Sequence, residues 1–496
     1  MAEQQSSFKQ SLGLTDATMI VAGSMIGSGI FIVSTDITRH VGSAGWLIMV
    51  WVITGFMTIT AAVSYGELSG MYPKAGGQYV YLREAFNRLA GFLYGWSFFS
   101  VIQTATIAAV AVAFSRYTAY LIPQVGEDRI VWGIEKGLNA VGKMEYSFSI
   151  SVAQLLAIAM ILFLTWTNSK GIKGGKIIQT TFTSAKLLSL FGLIILGFLL
   201  TKQSFWSENW QTGLDSMQLQ KNSNGNFITD GTGTWTAIGG VALIGAIAAS
   251  MSGSIFSSDA WNNVTFIAGE IKNPKRNIGL ALFFGTLIVT IIYVSANLMY
   301  LHVLPLREAT DSIAFPEGER VAVSAANRIF STAGSIVIAV MIMISTFGCN
   351  NGLILAGGRV YYTMAKDGLF FKKTGELNKN SVPEYAMWAQ AIVACLLCLS
   401  GKYNDLLDMV AFVVVLFYAL TILGIFVLRK KRPEIERPYK AFGYPILPAI
   451  YIILALTFCY FLIVSKPKYA GIGLGIMLLG IPIYYIALAR KKTENS

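Results

Sequence analysis

Among the ionisable side chains inside the long apolar runs of this 496-residue chain are Glu67, Arg116, Lys186 and Asp259. A charge in such a run is costly, and it faces the interior of a helix bundle or a water-filled passage. Lys186, in TTFTSAKLLSLF, is nine residues from Ile177 and sixteen from Lys202. That is about 14 Å from the nearer end of a helix rising about 1.5 Å per residue, too deep for complete snorkelling. Arg116 is near the end of its run and snorkels. Glu67, in SYGELSG, needs a partner, in a structural or gating role. Bond-making chemistry has no such support. His40 and His302 stand singly at helix ends, and Cys349, Cys395, Cys398 and Cys459 fall in apolar helices as small packing residues. Without a Ser/His/Asp set or a cluster at metal-ligand spacing, no catalytic centre, metal or cofactor is expected.

The chemistry the sequence does offer lies in its main chain. The first apolar run carries GSMIGSGIF, Gly23 to Phe31, with three glycines in nine residues, although each glycine costs roughly 1 kcal/mol against alanine in a helix interior. Close helix packing would need only Gly23-x-x-x-Gly27. Five runs later comes SMSGSIFSSDAW, Ser250 to Trp261, with a similar cluster of small polar residues and the same Ile-Phe pair. Two interrupted helices at corresponding positions of successive sets mark an inverted-repeat carrier. An interruption frees N–H groups at the start of one half-helix and carbonyls at the end of the other, tolerable in a bilayer only where they line a cavity or bind a ligand. The N–H groups suit a carboxylate and the carbonyls an ammonium. A zwitterion carrying both, an amino acid, fits such a pair of breaks without a charged side chain.

The elements that must position these breaks are membrane helices. The chain is 54% hydrophobic and 13% charged, far below the roughly one quarter charged of soluble domains. Twelve runs approach or exceed the length of about 20 residues that spans a bilayer, near 15–38, 45–71, 88–122, 148–167, 177–201, 237–267, 277–301, 334–365, 383–400, 405–428, 444–465 and 470–489. Of 38 Lys and Arg residues, 24 lie in loops on the side of the termini, which places both termini in the cytoplasm and the chain in the cell membrane, plasma or inner. This topology and anionic lipid account for the net charge of +12, so no nucleic-acid partner is expected. The first run continues too long for a cleaved signal peptide.

The segments GSMIGSGIFIVSTDITRHVGSAGW and SYGELSGMYPKAGGQYVYLREAF resemble the amino acid–polyamine–organocation superfamily. FSSDAWNNVTFIAGEIKNPKRNI and LRKKRPEIERPYKAFGYPILP are similar to its L-type amino acid transporter branch, and the likeness extends over residues 10–490. The resemblance implies an all-α polytopic protein with a leucine-transporter-like five-plus-five inverted repeat and two further helices. Its parts are a terminal segment 1–14, a first repeat 15–201, an extracellular loop 202–236, a second repeat 237–428, and helices 11 and 12 with the C-terminus in 429–496.

Carried over residue by residue, the resemblance puts the substrate carboxylate on the N–H groups of Gly27, Ser28 and Gly29. The amine faces carbonyls near Ser24 or Met25 and Phe256, and Phe256 closes over the substrate from outside. Ser257, Trp261 and Asn262 line the pocket. Asp259 either meets a cationic side chain, as in members that accept dibasic amino acids, or hydrogen-bonds exposed backbone. Lys186 matches a lysine whose ammonium takes the place of a sodium ion. It implies sodium independence, with Lys186 either cycling a proton or serving as a fixed cation between the first, fifth and eighth spans. The implied activity is transport of neutral amino acids by exchange or proton symport. The alternatives are a sensor or uncoupled channel on the same fold, or a carrier of dibasic amino acids or polyamines. Animal members that join a glycoprotein heavy chain carry a cysteine between the third and fourth spans. Residues 123–147 contain none, so no disulfide-linked subunit is expected.

Overall fold

The computed structural model of the chain describes residues 10–138, 144–223, 225–400 and 403–494. The outermost residues of the two expected terminal segments, 1–9 and 495–496, lie outside the described residues. The chain begins with α1 (Leu14–Met25), α2 (Ser34–Val41), α3 (Ala44–Met71), α4 (Gln78–Ala85) and α5 (Arg88–Leu121), the last containing one π turn at Phe98–Ile102. An antiparallel hairpin, β1 (Ile130–Leu138) with β2 (Met144–Ser151), leads into α6 (Val152–Ser169) and α7 (Ile172–Leu200). The connection that follows holds α8 (Trp206–Gln211) and the short strands β3 (Met217–Leu219) and β4 (Trp235–Ala237), paired antiparallel. The second half comprises α9 (Gly240–Ser257), α10 (Asn263–Phe266), α11 (Pro274–Val303), α12 (Val321–Lys366), α13 (Glu384–Ser400), α14 (Tyr403–Lys431), α15 (Ile446–Ser465) and α16 (Pro467–Glu494).

Among the described residues, ten helices are long and apolar enough to cross a membrane, and the apolar part of α13 is somewhat shorter. The first expected run is divided between α1 and α2. α12 begins thirteen residues before the expected run, because an amphipathic segment too polar to read as a span precedes a kink at Ser331, where φ is +65°. The two hairpins were not expected within the connecting loops.

Local signals set the boundaries. Asn87 caps α5 by accepting from the Ala90 N–H at 2.9 Å. Ser151 and Gln154 form a reciprocal capping box at the start of α6, and Pro274 occupies the first turn of α11. Lipid gives helices no hydrophobic reason to associate, so small residues that permit close packing decide the contacts. Along α3 and α11, a Cβ on Gly55 would stand 2.2 Å from Thr290 Cγ2, and one on Gly66 3.5 Å from the Cα of Gly279. The helices that ring the bundle present Leu188, Leu199 and Ile453 outward.

The end of the bundle carrying the N-terminus is tied together by polar contacts. Main-chain N–H groups of Ser11 and Leu12 donate to the Glu270 carbonyl at 2.9 and 3.1 Å, and that of Lys272 to the Leu12 carbonyl at 2.8 Å. Buried Glu270 pairs with buried Arg359 at 3.1 Å, and Arg83 pairs with Asp367. Glu67, fully buried, accepts from Arg429 Nε and Nη2 at 3.0 and 2.7 Å and from the Ala441 N–H at 2.7 Å, with Arg437 Nε 3.4 Å away. The expectation of a partner for Glu67 is met by two arginines.

Candidate functional site

At the first break, α1 stops at Met25 and Ile26 is extended. The chain then makes one 3₁₀ turn at Gly29–Phe31 before α2, held by bonds from the Phe31 N–H to the Ser28 carbonyl at 3.1 Å and from Ile32 to Gly29 at 2.9 Å. The N–H groups at the head of such a turn precede any helical acceptor and carry its partial positive charge. The carbonyls that end α1 are taken up by side chains from three other helices. Lys186 Nζ on α7 donates to Gly23 at 2.5 Å and to Ile26 at 2.9 Å. Cys349 Sγ on α12 donates to Ser24 at 3.3 Å, and the Tyr293 hydroxyl on α11 to Met25 at 3.1 Å. The Ser24 hydroxyl is buried without a partner among the described residues.

At the second break, α9 stops at Ser257, Ala260 takes a left-handed φ of +62°, and helix resumes at Asn263. The two breaks touch. A Cβ on Gly29 would fall 1.9 Å from Ser257 Oγ and 2.6 Å from Ser257 Cβ. The Tyr293 hydroxyl that bonds Met25 also reaches the Ser257 carbonyl at 2.9 Å, so one phenol spans both interruptions.

The expected residues divide between this meeting point and its surroundings. Gly27, Ser28, Gly29, Ser24, Met25 and Ser257 come together there. Phe256 is buried one turn below Gly253 on α9. A Cβ on Gly253 would be 3.0 Å from Val33 Cβ, and these two residues, with Ile32 and Ser252, floor a cavity of about 750 Å³ on the side away from the N-terminus. The Asp259 carboxylate accepts from the Tyr418 hydroxyl on α14 at 2.5 Å. Trp261 packs edge-on to Tyr65, ring centres 4.7 Å apart, and tilted against Tyr418. The Asn262 amide donates to Gln78 Oε1 at 3.0 Å. The carbonyls expected to face an ammonium already accept one bond each, the Phe256 carbonyl from the Asp259 N–H at 3.2 Å, and a carbonyl has a second lone pair to offer.

Tyr293, Tyr418 and the hydrogen-bonding role of Cys349 were not singled out from the sequence. A tyrosine in the middle of an apolar span was the available signal, since its hydroxyl must find a partner there.

The wide cavity is walled by charges of both signs. Arg39 on α2 makes a two-pronged pair with Glu319 at 2.8 and 2.9 Å, and Asp408 on α14 accepts from Lys466 and from Ser252. Lys221, Gly225, Asn226, Phe227 and Thr229 of the long connection line its wall, with Phe227 edge-on to His40 at 4.7 Å. Burial and the nearby Lys466 ammonium lower the Lys221 pKa from the usual lysine range. Among the described residues no group of three His, Cys, Asp or Glu side chains could hold a metal ion.

A polytopic helix bundle whose two interrupted helices meet around main-chain donors, beneath a wide cavity open at one end, has the architecture of a transporter. The sequence profile of amino acid permeases matches residues 12–488. The chain belongs to the amino acid permease family, and it is a transporter of the membrane rather than an enzyme. It is 31% identical over 486 residues to the human large neutral amino acids transporter small subunit 2, covering 97% of this chain and 81% of that protein. Similarity to the mouse Asc-type amino acid transporter 1 is 29% over 488 residues, covering 98% and 83%. The human b(0,+)-type amino acid transporter 1 is 27% identical over 494 residues, covering 98% and 89%.

Proposed function

We propose that the protein carries neutral amino acids across the cell membrane by sodium-independent exchange, with both termini cytoplasmic and the substrate held where the two helix breaks meet. The contact of Gly29 with Ser257 carries this reading, because it brings the segment from Ser24 to Gly29, whose Ser24 hydroxyl has no partner among the described residues, against the second break. Donors on one side and acceptors on the other match a carboxylate and an ammonium one carbon apart. Phe256, beneath the cavity floor, serves as the outer gate, and the five-plus-five repeat supplies the frame.

The position of Lys186 supports sodium independence. Its ammonium already neutralises the negative end of the α1 dipole through two carbonyls, the work a bound cation would do. An ammonium so held favours the fixed-cation role and hence exchange, with proton symport as the second reading. Engagement of Asp259 by Tyr418 favours neutral over dibasic substrates. The absence of cysteine from residues 123–147 supports a carrier that works without a disulfide-linked subunit.

Uptake of a labelled neutral amino acid into sodium-free proteoliposomes tests this. Stimulation by unlabelled internal substrate is expected. Stimulation of empty vesicles by an inward proton gradient alone overturns exchange in favour of symport, and uptake indifferent to both marks an uncoupled channel.

A further inference from the structure

Beside Asp259 lies a small, partly open cavity of about 10 Å³, with room for a single water-sized group until a side chain widens it. Its wall includes Gln78, Gln103, Thr106, Asp259, Asn263 and Tyr418, an unusually polar set for the interior of a membrane protein. Most of these groups have partners. Gln78 Nε2 donates to Thr421 at 3.0 Å, Gln103 Nε2 to the Leu353 carbonyl at 2.6 Å, Thr106 to the Ile102 carbonyl at 2.7 Å and Tyr418 to Asp259. Asn263 differs. It is 1% exposed, and both its amide nitrogen and its amide oxygen lack a partner among the described residues. Buried amide groups are rarely left this way, and one that is calls for an explanation at the site itself.

We propose that Asn263 reads the end of the substrate's side chain, and that the preferred substrates are neutral amino acids whose side chains both donate and accept a hydrogen bond, through a hydroxyl or a carboxamide. This rests on the transport reading above and narrows it. The pocket wall begins two residues beyond Ser257, so a side chain leaving a main chain held at Gly27 to Gly29 enters beside Asp259. There it meets one open donor and one open acceptor on the same amide. An apolar side chain would leave both buried and unpaired, and a site built for a hydrogen bond rejects the analogue that lacks it far more strongly than an apolar pocket rejects an added methylene. A cationic side chain would answer the acceptor but not the donor.

The test uses near-isosteric pairs in counterflow by the intact protein in proteoliposomes: threonine against valine, asparagine against leucine, glutamine against methionine. The polar member of at least one pair is expected to half-saturate exchange at a tenfold or greater lower concentration. The winning pair tells hydroxyl from carboxamide. Asn263→Leu should bring the members of that pair within about twofold, the polar member weakening and the apolar member improving, and Asn263→Thr should retain part of the preference. Equal or better exchange with the apolar members of all three pairs in the wild-type protein, which needs no variant to fold, overturns the proposal while leaving transport intact. Lysine outperforming every neutral substrate overturns it in favour of Asp259 as the reader. No exchange with any amino acid overturns the transport reading itself.

Discussion

A methyl group placed on Gly29 tests the meeting of the two helix breaks most directly. In Gly29→Ala the new Cβ falls 1.9 Å from Ser257 Oγ, 2.6 Å from Ser257 Cβ and 3.0 Å from its Cα. Rotating the serine side chain removes only the first clash. Carbon atoms rest at about 3.5 to 4.0 Å, so the breaks must part by roughly 1 Å. Overpacking of this kind costs about 1–3 kcal/mol. Tyr293 adds to it, because its hydroxyl reaches Met25 and Ser257 at 3.1 and 2.9 Å and cannot hold both across a wider gap, which loses about 1 kcal/mol more. At about 1.4 kcal/mol per tenfold, the sum of about 2–4 kcal/mol lowers counterflow roughly 30- to 700-fold.

Ser257→Gly in the same chain removes two of the three clashing atoms and should restore much of the loss. Gly27→Ala is the graded control. Its Cβ would stand 3.3 Å from Cys349 Sγ, a side chain able to yield a few tenths of an ångström, so the loss stays under about tenfold and Cys349→Ala relieves it. Initial counterflow rates and half-saturating concentrations in proteoliposomes, with thermal unfolding of each variant, read these effects. Exchange by Gly29→Ala within twofold of wild type, or no recovery on adding Ser257→Gly, would refute the placement of the site at this contact.

Lys186→Met strips two charge-assisted bonds, each of about 1.5–3 kcal/mol, from the end of α1. Exchange should fall more than 100-fold with a lower unfolding temperature, whereas exchange retained with loss of only proton-driven uptake would make Lys186 a proton carrier. Glu67→Gln leaves Arg429 and Arg437 without their counter-charge. A loss of about 3 kcal/mol is expected for a broken buried pair, visible as earlier thermal unfolding with an unchanged half-saturating substrate concentration; a changed substrate affinity instead would assign Glu67 to the site. Ala260→Gly removes a left-handed Cβ worth about 1 kcal/mol, so unfolding should shift upward, and a downward shift would mean that the methyl group is held by packing.

What could be read in the sequence was whatever a residue type discloses about its own backbone or burial. Glycines at 23, 27 and 29 announce an interruption because no other residue tolerates it so cheaply, and a lysine so far into an apolar run must have a polar interior partner. Which groups answer them was not legible. Lys186 meets Gly23 across 163 positions and Tyr293 meets Met25 across 268, and only the packing of whole helices brings such positions together. Trp261 and Asn262 have residue types suited to a pocket and each lines a small cavity beside Asp259, but the aromatic cluster and the Gln78 amide that hold them were not legible. The hairpin at β1 and β2 did leave a trace in EYSFSIS, where large residues alternate with serine, but alternation over so few residues is weak beside spans of twenty.

The placement of Lys186 has a mechanical consequence. Its two acceptors, Gly23 and Ile26, flank the last turn of α1, while the proposed carboxylate donors follow immediately at Gly27 to Gly29, so in the proposed site cation and substrate act on opposite sides of one chain interruption. If α1 swings away from α7 to open the N-terminal side, both Lys186 bonds must stretch or turn with it. The Ser11 and Leu12 bonds to Glu270 and the pair of Glu270 with Arg359 must also yield. By contrast, Gly29 against Ser257 and the double reach of Tyr293 tie the two breaks to each other and can persist through the motion. The helix halves then pivot about a fixed centre, and a substrate bound there changes the cost of moving α1 only through the residues between Gly23 and Gly29. Exchange follows if the empty site leaves that end of α1 held by Lys186 and the filled site lets it turn.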